Sequence, residues 1–244
     1  MNDIKNFENN RRHNISKISD DSSLRKQGVD FLVQSSLYQY SYNFDWLGLP
    51  IIQFPQDMVA IQEIIWQTKP DIIIETGVAR GGSLILSASI LHLLNENGKV
   101  VGVDIDIRPH NRDAIEKHPL AFRIELLQGS SIDEEIVEQV KKHIKPTDKV
   151  MVILDSNHTH EHVLKELEVY SHLVTKGCYL VVMDTVIADM PDDYFPDRPW
   201  GAGDNPKTAV HEFLKATDRF EIDESIHNKL LITVAPDGYL KCIK

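Results

Sequence analysis

Residues 71–83 read DIIIETGVARGGS, and this stretch decides the fold. It begins with a short run of apolar, β-branched residues, which is typical of a buried strand. A turn with glycines at 77, 81 and 82 follows, and the apolar segment LILSASILHLL at 84–94 has the length of a helix. A strand, a glycine-rich turn and a helix in this order are typical of a parallel α/β sheet.

The same alternation continues along the chain. Further apolar runs that predict strands are VVGVD at 100–104, FRIELL at 122–127, VMVILD at 150–155, CYLVVMD at 178–184, RFEID at 219–223 and KLLITVAPDGYLKCI at 229–243. Most of these runs are separated by segments with helical spacing, so right-handed crossovers join parallel strands. We therefore predict an α/β fold with a doubly wound, mostly parallel seven-stranded sheet, covered by helices on both faces.

Composition restricts the function. The chain has 244 residues, 42% of them hydrophobic, and a formal net charge of −11. An acidic chain is a poor partner for nucleic acid or for an anionic membrane surface, and no apolar run is long enough to span a bilayer. The polar first residues do not predict a secretory signal, and two cysteines do not predict a disulfide framework. We expect a cytoplasmic protein, and the sequence leaves open whether it forms a homo-oligomer.

The N-terminal region differs from the rest. Residues 1–35 are polar with little periodicity, and we interpret them as a mobile arm or a docking helix that precedes a single domain at 36–244. Aromatic side chains then alternate along 38–46, which would place five rings on one face if the segment is extended. Those rings would cover an edge of the core, line a substrate pocket or contact another subunit.

Chemistry is expected beyond the carboxyl ends of the parallel strands. The glycines at 77 and 81 allow a ligand to approach the backbone, and the following helix offers free N–H groups to a carboxylate or phosphate. The spacing matches neither G-x-G-x-x-G nor the phosphate loop of nucleotide triphosphatases. Asp104 and Asp106, at the end of the second predicted strand, could accept the hydroxyls of a ribose.

The later strand ends add small polar residues, carboxylates and a histidine. Ser130 and Ser131 follow the third strand, where they could lie along an adenine, and Ser131 with Glu134 has the spacing of a capping box. Asp155 and Asp184 end the fourth and fifth strands, and two neighbouring carboxylates suit Mg²⁺. His158 could serve as a general base beside that pair. The histidines at 160 and 162 are expected on the first turn of a solvated helix.

Together these segments resemble a known family. The runs ETGVARGGS, DID, LDSNHTHEHVLKELEVYSHLV, YLVVMDT and RPWGAGDNPKTAV look like the cephalosporin hydroxylase-like family, whose name also covers rhamnosyl O-methyltransferases. The resemblance spans about residues 45–220. It implies the Rossmann-like class I fold of methyltransferases that use S-adenosylmethionine (SAM).

The segments are also similar to the Mg²⁺-dependent catechol O-methyltransferase group. That similarity places Asp155 at the first metal aspartate, Asp184 and Thr185 at the later metal pair, and His158 at the catalytic lysine. Two positions depart from the patterns, because Met183 replaces an acidic residue of the cephalosporin group and Thr185 replaces an asparagine of the catechol group.

The resemblance implies a SAM-dependent, Mg²⁺-assisted O-methyltransferase. Its acceptor would be a hydroxyl of a small polar molecule, such as a sugar, a nucleotide sugar or a natural product. Apart from the resemblance, loop 189–206 is Pro- and Asp-rich and too long for a structural turn, so we interpret it as a substrate lid or recognition loop. Asp155 and His158 would be catalytic, and the metal ligands would be Asp155, Asp184 and Thr185. The expected cofactor-binding residues are Glu75, Gly77, Gly81 and Ser83 at the methionine end, Asp104 and Asp106 at the ribose, and Ser130 and Ser131 at the adenine.

Three alternatives remain at this point. The spacing of the histidines at 158, 160 and 162 is similar to the start of a dinuclear metal hydrolase motif, although Glu161 departs from it. A catalytically silent SAM-binding assembly protein is the second. An iron oxygenase is disfavoured, because no histidine is followed two residues later by Asp or Glu.

Overall fold

The computed structural model describes residues 2–94 and 97–244. Its helices are α1 Asn2–Asp20, α2 Ser22–Ser36, α3 Pro55–Thr68, α4 Gly82–Leu94, α5 Pro109–Glu116, α6 Glu134–Lys141, α7 His160–Tyr170, α8 Pro206–Ala216 and α9 Glu224–Leu230. Its strands are β1 Phe44–Trp46, β2 Leu49–Ile51, β3 Ile72–Thr76, β4 Lys99–Asp104, β5 Ile124–Gln128, β6 Val150–Leu154, β7 Tyr179–Val182, β8 Phe220–Ile222 and β9 Tyr239–Cys242.

Seven of these described strands form one sheet in the order β5-β4-β3-β6-β7-β9-β8. All neighbouring pairs from β5 to β7 are parallel, and β9 is inserted antiparallel between β7 and β8. The chain runs from β3 outward to β5 and then returns to the other side of β3 with β6. Ligands bind at such a reversal point, outside the carboxyl ends of the strands. The predicted doubly wound, mostly parallel sheet is confirmed.

The core lies on both faces of the central strands. Every residue of β3, β6 and β7 is buried, which requires the continuous apolar runs seen in the sequence. Helix α4 is buried along most of its length, because it lies between β4 on one side and α3, β1 and β2 on the other. No helix among the described residues is both long and apolar enough to cross a membrane.

The N-terminal region forms two helices. Asp21 caps α2 by accepting a hydrogen bond from the backbone N–H of Leu24. Helix α2 lies so close to the C-terminal part of the chain that a Cβ on Gly28 would stand 2.4 Å from the carbonyl oxygen of Leu231. Leu32 packs in a small buried cluster with Phe54 and Val186. Helix α2 therefore docks on the body of the fold, and the domain boundary at residue 35 stays a prediction.

The structure differs from the sequence-based expectation at two places. The aromatic segment is not extended, because Gln39 adopts a left-handed conformation, a 3₁₀ turn covers Tyr40–Asn43, and only Phe44–Trp46 forms a strand. The first part of the predicted run at 229–243 is not a strand. Residues 229–234 are the end of α9 followed by an irregular segment, and the last strand begins at Tyr239.

A third correction concerns the start of α6. The predicted capping box places the helix start at Ser131, but Asp133 is the N-cap residue, and its carboxylate accepts hydrogen bonds from the backbone N–H groups of Glu135 and Ile136. Ser131 therefore lies in the loop between β5 and α6.

Candidate active site

The glycine-rich turn after β3 forms one side of the site. Gly77 and Gly81 have φ values of 93° and 88°, a region that side chains with a Cβ rarely adopt. A Cβ on Gly77 would stand 2.0 Å from the backbone oxygen of Asp155. The close approach of this residue, which follows β6, therefore also requires glycine at position 77. The turn therefore presents its backbone at the strand ends, beside Asp155.

Asp104 holds the turn in place. The backbone N–H groups of Val78 and Ala79 donate to its Oδ2, at 2.8 and 3.2 Å, and the N–H of Asp106 donates to its Oδ1 at 3.0 Å. A carboxylate can accept about four hydrogen bonds, so capacity for ribose hydroxyls remains. The Asp106 side chain is exposed, and its carboxylate lies 3.9 Å from the guanidinium of Arg108. Both residues stand at the predicted place, and their binding of a ribose stays a prediction.

Glu75 is a buried carboxyl group beneath the turn. It is 1% exposed, Ser83 donates a hydrogen bond to its Oε1, and its Oε2 has no hydrogen-bond partner. Burial raises the pKa of Glu75 to about 7, while the Ser83 hydroxyl lowers it. The unpartnered oxygen has unused capacity to accept a hydrogen bond. Glu75, Gly77, Gly81 and Ser83 therefore lie together as expected, and their binding of a cofactor stays a prediction.

The two predicted metal carboxylates also meet. The pKa of Asp155 is raised well above its usual value. The largest cause is burial away from water, followed by the negative charge of Asp184 and then that of Glu75. Asp184 has a left-handed backbone, with φ of 56°, and its Oδ2 lies 3.4 Å from Nδ1 of His158. His158 packs edge-on against the ring of Trp200, with 4.8 Å between ring centroids. An acid pair and an imidazole therefore share one site.

Thr185 does not join them. Its side chain is fully buried, and its hydroxyl donates to the backbone oxygen of Pro236 at 2.5 Å. It is also absent from the residues that line the cavity around Asp155 and Asp184. The structure does not support the sequence prediction of Thr185 as a metal ligand, because tertiary contact with the C-terminal loop holds its hydroxyl elsewhere.

Ser131 is engaged by α7. It is 4% exposed, its hydroxyl lies 3.1 Å from Nε2 of His162, and its carbonyl oxygen accepts a hydrogen bond from Tyr170. His160 is also partly buried, with Nδ1 2.8 Å from the Thr208 hydroxyl, so the expectation of a solvated first turn is wrong. The placement of Ser130 and Ser131 along an adenine stays a prediction.

A cavity of about 340 Å³ lies beside the acid pair. Helix α2, the segment around Gln53, the ends of β6 and β7, and the loop predicted as a lid enclose it. The hydroxyls of Tyr194 in this loop and Ser36 in α2 contact each other across the cavity. The loop residues that line the cavity are Met190, Tyr194, Phe195, Arg198 and Trp200.

This cavity adjoins a smaller one over the glycine-rich turn. Ile52, Gln53, Ala79 and Asp155 line both cavities. Gln53 is 6% exposed, and its side-chain oxygen has no hydrogen-bond partner, so it is a free acceptor at the junction. Sequence reasoning missed Gln53, because it lies between β2 and α3 and belongs to no motif.

The donor set suits SAM better than it suits a metal ion. The unpartnered Glu75 oxygen and the turn that excludes a Cβ at Gly77 fit the ammonium group and the backbone-bound end of the cofactor. For Mg²⁺, Asp155 and Asp184 supply two carboxylates, and Mg²⁺ commonly uses one or two with water and substrate oxygens. Within residues 2–94 and 97–244, no group of three or more His, Cys, Asp or Glu side chains could hold a metal ion. The histidine-based hydrolase motif therefore has no counterpart in this part of the structure.

Comparisons with known proteins agree with this geometry. Residues 38–243 match the family described as rhamnosyl O-methyltransferase/CmcI. A rhamnosyl O-methyltransferase of Mycobacterium tuberculosis (strain ATCC 25618 / H37Rv) is 31% identical over 198 residues, which cover 80% of this chain and 76% of that protein. The protein of the same name from Mycobacterium leprae (strain TN) is 30% identical over 202 residues, which cover 80% and 81%.

Solved structures show the same fold. A structure of CmcI with Mg and SAM has a TM-score of 0.57 at 21% identity, and the match covers 83% of this chain and 78% of that one. The O-methyltransferase TomG from Streptomyces achromogenes, in complex with SAM, has a TM-score of 0.55 at 13% identity, covering 92% and 91%. The fold is that of class I SAM methyltransferases, and the resemblance seen in the sequence is confirmed. With a family match over most of its length and curated relatives at 30% identity or more, the chain belongs to the rhamnosyl O-methyltransferase/CmcI family.

Proposed function

We propose that this protein transfers the methyl group of SAM to a hydroxyl of a sugar-containing acceptor, with help from Mg²⁺. One observation carries the proposal: the cavity over the glycine-rich turn and the cavity beside the acid pair share Asp155 and Gln53. A donor in the first and an acceptor in the second would meet at this junction. Family membership supports the reaction class, and the names of the curated relatives support a sugar as acceptor.

The protein's first task is to hold the donor. Glu75, with its free buried oxygen, pairs with the ammonium of the methionine end, and Ser83 keeps the carboxyl group in place. The N–H groups at the start of α4 would bind the donor's carboxylate. Asp104 orients the turn and offers its remaining lone pairs to the ribose, with Asp106 beside it. When bound, SAM supplies a methyl group on a sulfonium, which is already activated for transfer.

The second task is to orient and deprotonate the acceptor. His158 faces the acceptor cavity, and Asp184 lies against its Nδ1, which leaves Nε2 to take the proton of the acceptor hydroxyl. Asp155 and Asp184 would hold Mg²⁺, which lowers the pKa of a bound hydroxyl. The apolar and aromatic lid residues limit the access of water. Holding two reactants in line could lower the barrier by roughly 7 kcal/mol or more.

The test uses labelled SAM and a panel of methyl glycosides, with Mg²⁺ and with EDTA. We expect Asp155→Asn and His158→Gln each to lower kcat/KM by about a hundredfold or more, the usual contribution of a positioned acid or base. Asp113→Asn is the matched control, because Asp113 pairs with Lys117 on the exposed face of α5. Calorimetry should show that Asp155→Asn still binds SAM. Methyl transfer by Asp155→Asn and His158→Gln at the wild-type rate would refute the assigned roles.

A further inference from the structure

The lid wall of the acceptor cavity carries two hydrogen-bond donors without protein partners. The guanidinium of Arg198 lies over the ring of Trp200, 5.3 Å from its centroid, and in the described part of the chain it forms no ion pair or side-chain hydrogen bond. The indole Nε1 of Trp200 is buried and also has no partner. The two donors differ in burial: the Arg198 side chain is exposed and open to a ligand, whereas the Trp200 indole N–H lacks the partner that buried donors normally have. This wall therefore offers hydrogen-bond donors to a ligand that accepts them.

Other residues that line the cavity have the reverse character and supply hydrogen-bond acceptors. Gln53 contributes a buried oxygen without a partner, and Asp155 and Asp184 contribute carboxylates. Among the described residues that line this cavity, Arg198 is the one Lys or Arg. The cavity therefore has an acceptor-rich end suited to a hydroxyl and a donor-rich end suited to an anion.

The two ends are a short distance apart. The Arg198 guanidinium is 5.3 Å from the Trp200 centroid, which is 4.8 Å from the His158 centroid, so at most about 10 Å separates the guanidinium from the His158 ring. One sugar ring with an attached phosphate or carboxylate can bridge such a span. The guanidinium fork matches both groups by paired hydrogen bonds.

The positive charge of Arg198 is not neutralised by the neighbouring aspartates of the lid. The lid is rich in aspartates, yet Asp189 pairs with Lys207, and none of the aspartates at 192, 193 and 197 forms an ion pair with Arg198 in the described structure. The chain as a whole carries a net charge of −11, which repels anions. A single unpaired guanidinium in the cavity would offset that repulsion locally.

We propose that the ligand of this cavity is an anionic sugar, whose phosphate or carboxylate group is bound by Arg198 and Trp200 while one of its hydroxyls faces Asp155 and His158. The inference rests on the proposed function in one respect, namely that this ligand is the molecule that accepts the methyl group. It narrows the acceptor class from hydroxylated small molecules to sugars that carry an oxyanion.

The test compares four probes: methyl rhamnoside, rhamnose 1-phosphate, dTDP-rhamnose and methyl glucuronide. Binding is measured by calorimetry in the presence of S-adenosylhomocysteine, and methyl transfer is measured separately with labelled SAM. We expect at least one anionic probe to bind more tightly than methyl rhamnoside. In Arg198→Gln the preference for that probe should fall about ten- to hundredfold, the effect of losing charge-assisted hydrogen bonds.

Two further variants control for folding and for the form of the cation. Arg112→Gln removes a partly exposed arginine that pairs with Glu116 on α5, away from the cavity lining, and it should keep the preference. Arg198→Lys keeps the charge without the fork and should retain part of it. The phosphate and carboxylate probes decide which oxyanion is recognised.

The outcomes separate the two proposals. Methyl transfer to neutral sugars with no anion preference, or a preference unchanged in Arg198→Gln, would overturn the anionic acceptor and leave the O-methyltransferase intact. Arg198-dependent binding of an anionic sugar without methyl transfer would support anion recognition and count against the proposed function. Failure of every anionic probe to bind would also overturn the inference.

Discussion

Replacing Glu75 with glutamine should alter stability and cofactor binding in opposite directions. Folding raises the pKa of this buried carboxyl group from 4.5 to about 7, so the folded state disfavours the charged form. The stability associated with protonated Glu75 is fully present below about pH 4.5 and is lost as the pH rises to about 7. At 1.36 kcal/mol per pKa unit, this shift amounts to about 3 kcal/mol.

Glutamine is isosteric but does not ionise, so the variant lacks this pH-dependent loss. Its side-chain oxygen can still accept from Ser83, and any penalty from the unpartnered amide N–H group is independent of pH. The stability of Glu75→Gln relative to the wild type should therefore rise by about 3 kcal/mol between about pH 4.5 and about pH 8. The assay is urea unfolding without SAM at several pH values. Glu125→Gln is the control, because Glu125 on β5, two strands away in the same sheet, has a side chain that is 43% exposed and pairs with Lys99.

Cofactor binding should respond in the opposite sense. In the proposed site an ionised Glu75 would pair with the ammonium of SAM, so wild-type affinity for SAM should increase as the pH is raised from about 5 to about 7. Glu75→Gln should lose most of that dependence and bind SAM at least about tenfold more weakly, the effect of losing a charge-assisted hydrogen bond. A flat stability difference across this pH range, or undiminished SAM affinity in the variant, would refute the assignment of Glu75.

Two further predictions concern the turn and the excluded ligand. Gly77 and Gly48 have nearly the same φ, 93° and 94°, but a Cβ at Gly48 would meet nothing within 4 Å. Urea unfolding should therefore show a loss of stability of about 1–2 kcal/mol for Gly48→Ala and a clearly larger loss for Gly77→Ala. Equal losses would contradict the close approach of Gly77 to Asp155. Thr185→Val should destabilise the fold by about 1–3 kcal/mol, because the Pro236 oxygen loses its donor, without changing the Mg²⁺ concentration needed for methyl transfer. A tenfold higher Mg²⁺ requirement in that variant would instead support Thr185 as a ligand.

The sequence predicts the sheet well because burial on both faces leaves a simple signal. Residues of β3 and β6 are apolar without interruption, apart from the strand ends, and the residues that follow such runs must lie at one edge of the sheet. This is how Glu75 and Asp155 could be assigned to one site before any coordinates. The sequence also contains the glycines whose φ values the turn requires.

Predictions failed where distant contacts decide the local structure. The run at 229–234 is apolar enough for a strand, but the Thr233 hydroxyl and the Val234 N–H both donate to Asp57, which lies at the start of α3. Ser131 and Asp133 both suit a helix N-cap, but Ser131 is engaged by His162 and Tyr170 of α7, and Asp133 caps the helix. Period-two aromatics in the segment before α3 fit a strand, yet the left-handed Gln39 and the 3₁₀ turn replace it.

The acid pair illustrates how topology and strain together produce a site that motif matching leaves uncertain. The parallel register aligns Leu154 with Val182, and the N–H of Met183 extends the ladder by donating to Leu154, so Asp155 lies beside Met183. Met183 is 2% exposed, so an apolar side chain fills this position next to Asp155. The next residue, Asp184, adopts a left-handed conformation that costs roughly 1–2 kcal/mol for most side chains and is tolerated best by Asp and Asn. This strained residue brings the second carboxylate to Asp155, where repulsion disfavours a doubly charged pair unless a proton or a cation is present. The backbone strain at Asp184 and the repulsion between Asp184 and Asp155 both oppose folding. Residues that are kept in such unfavourable arrangements are typical of a functional centre.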